Sequence, residues 1–254
     1  MAKTTIKLDN NMDKKTWKHE GSLRNVKVIE KSAFQEGINV TFPAGGWGAS
    51  NGVNLKCPLE ELPASDITLS YRVFVPDKFD YVKGGKLPGF ALGSRGTGGR
   101  SWEKDQGSAR LMFRPGGIVT GYLYLMEDVG EYKGEGSPLM KKQGAGFEDI
   151  VHHSNGAGLY IWRNDKDPLR LQRGWNKITV RIRMNSAGKA NGKFQITVNK
   201  KKKAFNKLMW TANPRQNRIG QFQFAAWMGG GDKSYAPKKD QTLTFKDVKL
   251  VKRA

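Results

Sequence analysis

The sequence has little cysteine and histidine. Cys57 is the single cysteine among 254 residues, so no intramolecular disulfide can form, and no cluster of residues has the spacing of a zinc site. We expect Cys57 to be a small buried apolar residue and the protein to hold no metal. No apolar run is long enough to span a membrane, and the first residues lack the apolar stretch of a secretory signal.

Acidic residues are also scarce. The 23 Asp and Glu residues stand against 44 Lys and Arg residues, which gives a net charge of +21 at pH 7. Such a surplus disfavours the compact state by self-repulsion, and an anionic partner would offset it. Nucleic acid, an anionic membrane and an acidic polysaccharide are the candidates. Scattered Lys and Arg suit phosphate neutralisation, but we find no recognised nucleic-acid-binding motif.

The hydrophobic pattern predicts strands, while helical periodicity is weak. Apolar and polar residues alternate with period two over 67–75, 178–184 and 194–198, as expected of strands with one buried face. Gly, Pro, Asn and Asp separate these segments. We therefore predict one all-β domain over residues 1–254, an antiparallel β-sandwich of the jelly-roll type with a concave cationic cleft. A phase slip near Asp247 predicts a bulge.

The segment 86–126 contains the residues most suited to chemistry. Strand geometry places Ser108, Arg110 and Arg114 on the face opposite to the apolar residues between them. Tyr122 and Tyr124 follow on the next predicted strand. The short connection between these strands favours a hairpin, which would put Ser108, Arg110, Tyr122 and Tyr124 on one shared face.

This face combines cations, phenols and a hydroxyl group without histidine or carboxylate. It is a poor set for glycoside hydrolysis, which usually needs two carboxylates. It suits β-elimination on a uronate, because a cation bound to the substrate carboxylate stabilises the charge that develops when the C5 proton leaves. A tyrosinate can take that proton, and a phenol or water can protonate the leaving oxygen. Solvated arginines and cross-strand tyrosine packing would give the same pattern.

Three motifs together resemble polysaccharide lyase family 14, in particular its chlorovirus members, and more distantly the glucuronan lyases of family 20. They are GKLPGF at 85–90, SARLMFR at 108–114 and YLY at 122–124. The resemblance implies a jelly roll with a positively charged cleft on its concave sheet. It also implies cofactor-free, metal-independent β-elimination of glucuronate-containing polymers, with weaker action on alginate, in degradation of an algal host cell wall.

The resemblance also implies roles for individual residues. Lys86 would bind the substrate carboxylate. Ser108 and Arg110 would lie at the cleavage site, with Arg110 neutralising a carboxylate. Tyr122 and Tyr124 would supply the acid and the base, in an order that the sequence does not assign.

Other residues have two interpretations. Arg181 and Arg183 share a strand face opposite an apolar one. They could extend the cationic cleft and bind substrate, as Arg114 could, or they could simply be solvated. His152 and His153 could compete with tyrosine as the base, or lie in an exposed loop. Weaker candidates for stacking on sugars, for a lid or for acid–base chemistry are Tyr160, Trp162, Trp102, Glu103 and Asp105.

We therefore expect a monomeric polyuronate lyase whose partner is an acidic polysaccharide, with no nucleic-acid or membrane partner. A non-catalytic acidic-glycan-binding module is the alternative, and a nucleic-acid-binding protein is the third hypothesis. Without a secretory signal in this chain, we expect the protein to be virion-associated or released to act on the host cell wall outside the cell.

Overall fold

The computed structural model describes residues 3–9, 12, 17, 21–29, 36–59, 64–93, 106–125, 150–152, 158–161, 167–211 and 218–253. These residues form β-strands joined by turns and short 3₁₀ helices, so the prediction of an all-β fold is confirmed. Within these ranges, no helix is both long enough and apolar enough to cross a membrane.

The first sheet contains eight strands. They are β1 (Lys3–Lys7), β2 (Val26–Ile29), β3 (Gly37–Phe42), β5 (Asp66–Val75), β12 (Gly174–Arg183), β13 (Gly192–Val198), β14 (Lys201–Leu208) and β16 (Gln241–Arg253). Their spatial order is β14-β13-β12-β5-β16-β3-β2, and β1 also pairs with β16. The pairs are antiparallel, as predicted.

The second sheet also contains eight strands. They are β4 (Val53–Pro58), β6 (Gly85–Gly93), β7 (Gln106–Phe113), β8 (Ile118–Tyr124), β9 (Ile150–His152), β10 (Gly158–Ile161), β11 (Leu169–Arg170) and β15 (Ile219–Met228). Their order is β4-β15-β6-β7-β8-β10-β9, and β11 also pairs with β8. These pairs are antiparallel as well.

The two sheets pack face to face around one hydrophobic core. Alternate residues of β5 and β12 are buried, as the period-two pattern predicts. Phe224 of the second sheet contacts Phe245 of the first, with ring centroids 5.1 Å apart and an interplanar angle of 76°. This edge-to-face geometry is the one that aromatic pairs favour. The contact joins the two layers near the centre of the sandwich.

The predicted bulge in β16 is confirmed. The register of β16 against β5 shifts between Lys246 and Lys249, and Asp247 adopts a positive φ of 55°. The extra residue restores the alternation, so Val248 and Leu250 return to the core.

A second irregularity lies at the centre of the other sheet. Lys86 pairs with Met112 and Leu87 with Leu111, but the register then shifts before Phe90 pairs with Ala109. Pro88 lies inside this shift, where the ladder needs no hydrogen bond from its nitrogen. A Cβ atom on Gly89 would lie 2.3 Å from the carbonyl oxygen of Ala109. Only glycine therefore allows β6 to approach β7 this closely.

Candidate active site

A hairpin of β7 and β8 carries four of the predicted residues. A 3₁₀ turn at Pro115–Gly117 joins the two strands. Ser108 lies in register with Tyr124, and Arg110 with Tyr122. Directly paired residues project to the same side of a sheet. The prediction that these four side chains share one face is therefore confirmed.

The two tyrosines form a hydrogen-bonded pair. The hydroxyl oxygens of Tyr122 and Tyr124 lie 2.5 Å apart, and the ring centroids are 5.2 Å apart at 83°. Their exposed fractions are 9% and 5%. Such a short separation between two hydroxyls marks a strong hydrogen bond in a place that is largely shielded from water.

Lys86 reaches the phenols from the neighbouring strand β6. Its Nζ lies 3.7 Å from the ring centroid of Tyr122, and the same amine donates to Sδ of Met112 at 2.9 Å. Burial lowers the pKa of Lys86 well below its ordinary value, and the charges of Arg110 and Arg114 lower it further. The amine is therefore easier to deprotonate than a surface lysine.

Arg110 completes the cluster between two aromatic rings. Its guanidinium carbon lies 5.8 Å from the ring centroid of Tyr122 and 5.7 Å from that of Trp227. Burial lowers the pKa of Arg110, while the ionised forms of Tyr122 and Tyr124 oppose this effect. The guanidinium and a tyrosinate thus stabilise each other. Arg114 also belongs to this cluster, since its charge acts on Lys86.

Several neighbours of the cluster were not predicted as site residues. A row of paired residues runs from Trp227 through Lys86 and Met112 to Thr120. Thr120 Oγ1 is buried, as is Oε1 of Gln223, and neither has a hydrogen-bond partner in the described part of the chain. Such orphaned acceptors are rare in folded proteins. Lys86 in this row was predicted, and strand alternation could also have found the other residues, because each lies opposite to a core position.

The structure corrects the placement of Arg181 and Arg183. Both lie on β12, in the first sheet, so they do not extend the cationic face of the second sheet. Arg181 donates from Nε and Nη2 to the carboxylate of Asp66 at 3.0 and 2.6 Å. Arg183 donates to the carbonyl oxygen of Asn191 at 2.9 Å. Alternation had separated the two faces of their strand, but it did not say which sheet the strand joins.

The histidine and loop candidates remain predictions. The backbone of His152 pairs with Leu159 on β10, next to β8, and the backbone of Tyr160 pairs with Tyr122. The other such candidates lie outside the described residues: His153, Trp162, Trp102, Glu103 and Asp105.

The thiol of Cys57 is buried, as predicted, with 4% of the residue exposed. Burial raises its pKa to about 12. In the described ranges, no three His, Cys, Asp or Glu residues come together in a way that could hold a metal ion.

Comparison with protein families gives one match over most of the chain. The family model described as polysaccharide lyase 14 matches residues 30–248. This range includes every strand of the two sheets except β1, β2 and the last residues of β16. Comparison with curated protein sequences gave no match.

Solved structures of lyases have the same fold. An alginate lyase from Chlorella virus superimposes with a TM-score of 0.78 at 22% identity, over 97% of this chain and 98% of that one. The marine alginate lyase of Aplysia kurodai gives a TM-score of 0.79 at 21% identity, over 98% of both chains. The endo-β-1,4-glucuronan lyase of the fungus Trichoderma reesei gives 0.59 at 10% identity, over 99% and 95%. Because the family model spans most of a chain with this fold, the protein is a lyase that belongs to polysaccharide lyase family 14.

Proposed function

We propose that this lyase cleaves a polyuronate by β-elimination and prefers glucuronate-containing polymers to alginate. The observation that carries the proposal is the cluster of buried Lys86, buried Arg110 and half-buried Arg114 beside the hydrogen-bonded phenols of Tyr122 and Tyr124. The names of the similar structures support the substrate class, since alginate and β-1,4-glucuronan are both chains of uronates.

The three cations provide a site for the uronate carboxylate. Burial lowers the pKa of Lys86, and repulsion from the charges of Arg110 and Arg114 lowers it further. A bound carboxylate relieves that repulsion and favours the charged form of the amine. Arg110 can hold the carboxylate with two parallel hydrogen bonds. The same contacts stabilise the enolate-like charge as the C5 proton leaves.

The phenol pair provides the proton transfers. In the elimination a base takes the C5 proton, and the electrons of that C–H bond form the C4–C5 double bond. The bond from C4 to the glycosidic oxygen then breaks, and that oxygen takes up a proton. Tyr122 and Tyr124 can serve as base and acid, because an ionised phenol is stabilised by Arg110 and by a hydrogen bond from its partner.

The lowered pKa of Lys86 gives this residue a second role in the proposal. A neutral amine can accept the C5 proton, so Lys86 competes with the phenols for the role of base. In that case Arg110 and Arg114 alone neutralise the carboxylate. The variant Lys86→Arg distinguishes the two assignments. An arginine keeps the positive charge but cannot serve as a base at neutral pH, so this variant loses activity if Lys86 is the base and keeps it if a tyrosine is.

Ultraviolet absorbance of the new C4–C5 double bond tests the proposal directly. Polyglucuronate and alginate are incubated with the wild type, Tyr124→Phe and Arg110→Ala, each with and without a chelator. Tyr71→Phe is the matched control for a buried tyrosine, because its hydroxyl lies in the core without a partner in the described residues. Arg24→Ala, at an exposed arginine, is the control for a lost guanidinium.

We expect rising absorbance for the wild type and both controls, with a higher kcat/KM on polyglucuronate than on alginate. The signal should be lost in folded Tyr124→Phe and Arg110→Ala. A flat wild-type trace from neutral to alkaline pH, with polymer binding retained, would instead support a non-catalytic acidic-glycan-binding module. Activity lost with the chelator alone would contradict metal independence.

A further inference from the structure

The outer surface of the first sheet carries cations that the cleft does not use. Every second residue of β12 is buried in the core, so Lys177, Arg181 and Arg183 project from the opposite side. Lys193 on β13 and Lys202 on β14 occupy the matching positions of the next strands. These five residues, together with the outward-facing side chains around them on β1, β5, β12, β13 and β16, are called the outer cationic face.

Strand pairing arranges this face in regular rows. One row crosses six strands in register and consists of Lys202, Thr197, Thr179, Ser70, Lys249 and Lys7. Neighbouring strands are about 4.8 Å apart, so the row is about 24 Å long. Hydroxyl groups occupy its centre and amines its two ends. An extended row of this kind fits an extended polymer better than a compact small molecule.

The charges on this face are crowded at one end. Partial burial lowers the pKa of Lys193, and the neighbouring charges of Arg181 and Arg183 lower it further, with Asp66 opposing them. Asp66 itself accepts hydrogen bonds from Arg181 and Arg253. The single carboxylate of Asp66 thus compensates only part of the positive charge around it. A bound anion would reduce the repulsion that remains between the cations.

Aromatic rings lie at the other end of the face. Phe74 and Trp175 are paired across β5 and β12, and their ring centroids are 5.4 Å apart. Lys246 places its amine 4.3 Å from the ring centroid of Trp175. Both rings are partly exposed. The face therefore combines apolar ring surface, hydroxyl groups and cations, which are the groups that contact the rings, hydroxyls and carboxylates of an acidic sugar chain.

We propose that the outer cationic face is a second, non-catalytic binding site for acidic polysaccharide. Its position on the sheet opposite to the cleft lets one protein molecule hold one polymer strand while it cleaves another. Holding the protein on the polymer raises the effective concentration of cleavable chain at the cleft without a new contact there. The identity of the polymer as a polyuronate rests on the function proposed above.

A matched pair of triple variants tests the proposal. Lys177→Thr/Lys202→Thr/Lys249→Thr removes three cations from the face and introduces a residue that strands favour. Lys78→Thr/Lys238→Thr/Lys239→Thr removes three exposed cations that lie in connections outside the strands. Both variants lose the same net charge, so non-specific attraction to a polyanion falls equally in each.

The first readout is retention on immobilised polyglucuronate at low salt, in proteins that also carry Arg110→Ala so that the polymer is not cut. We expect the outer-face triple variant to bind about tenfold more weakly than the control, because several exposed ion pairs are lost together. Its retention should also depend less steeply on salt. Equal retention of the two triple variants would overturn the proposal.

The second readout separates this site from the cleft. With Arg110 intact, both triple variants should cleave a uronate trisaccharide at the wild-type rate. The outer-face variant alone should show a raised KM on long polymer. Selective loss of single-stranded DNA binding, with polyuronate retention unchanged, would overturn the assignment to polysaccharide. A wild type that is retained on polyuronate but forms no double bond overturns the proposed cleavage and leaves this site standing.

Discussion

The two faces of the sandwich use the same kinds of residue in opposite surroundings. Lys86 and Arg110 are buried beside phenols on the second sheet, with exposed fractions of 7% and 6%. Lys177 and Lys202 are exposed on the first sheet. Burial lowers the pKa of a cation and strengthens its electrostatic interaction with neighbouring groups. Water and salt screen the charge of an exposed cation. The first arrangement suits chemistry and the second suits attachment.

The largest expected difference is in catalysis. Arg110→Ala should lower kcat/KM on a uronate trisaccharide by about 10²–10³-fold, because it removes a buried donor to the charge that develops. Arg183→Ala, on the outer face, should change that value less than about twofold. Initial rates of ultraviolet absorbance measure both. If folded Arg110→Ala and Arg183→Ala lost similar amounts of kcat/KM, the two faces would not differ in their role in catalysis.

Backbone packing gives the next largest difference. Gly89→Ala places a methyl group 2.3 Å from the Ala109 carbonyl oxygen and 2.6 Å from the Arg110 Cα, so β6 and β7 must move apart. We expect the free energy of unfolding to fall by about 3 kcal/mol, with activity reduced as well.

Gly188→Ala is the matched control for that variant. Gly188 has φ of +67° but no atom within 4 Å of the added methyl group, so backbone strain alone should cost about 1 kcal/mol. Urea denaturation measures both variants. If the two variants lost the same free energy of unfolding, the close approach of β7 to Gly89 would not contribute to the effect of Gly89→Ala.

Replacing Lys86 tests the energetic cost of its burial. The pKa of Lys86 in the folded protein lies below 10.5, the ordinary value that the unfolded chain has. Its charge therefore costs stability most below the folded pKa, and the cost shrinks as the pH rises towards 10.5. Lys86→Met should raise the free energy of unfolding by about 1 kcal/mol near pH 7, less at pH 10, and abolish activity.

Lys177→Met, at an exposed position, is the comparison for that experiment and should change stability by less than about 0.5 kcal/mol at either pH. Thermal unfolding at two pH values gives both results. A loss of stability in Lys86→Met at pH 7 would show that contacts of the side chain outweigh its desolvation.

The smallest expected effect is at Lys193. Partial burial lowers its pKa, and nearby cations lower it further, so Lys193→Thr should stabilise the protein by about 0.3 kcal/mol at low salt. The part of the gain that comes from repulsion should vanish in about 1 M salt, where exposed charges are screened over a few ångströms. Denaturation at two salt concentrations checks this, and a destabilised variant at low salt would argue against repulsion on the outer face.

The residues on the hairpin face could be predicted because they depend only on patterns within two strands that are adjacent in the sequence. Alternation assigns Ser108 and Arg110 to one side of a strand, and a short connection brings Tyr122 and Tyr124 beside them. The bulge at Asp247 was visible for the same reason, as a slip in a local period.

Long-range pairing limited the rest of the prediction. The alternation around Arg181 and Arg183 is as clear as that around Arg110, but the sheet that a strand joins depends on partners far along the chain. The contact between Lys86 and Met112 likewise depends on how β6 bulges against β7. Alternation places each residue on a face and leaves its distances to residues on other strands undetermined.

The contact of the Lys86 amine with the Met112 sulfur gives the active-site cluster one point at which oxidation would interfere. A thioether is a weak acceptor, so it holds the amine only loosely and lets a carboxylate take its place. Conversion to the sulfoxide would put a strongly polar oxygen at the same point. That oxygen would hold Lys86 away from substrate, and a methionine sulfoxide reductase would release it. With only 1% of Met112 exposed, the intact fold is what protects the enzyme from this form of inactivation.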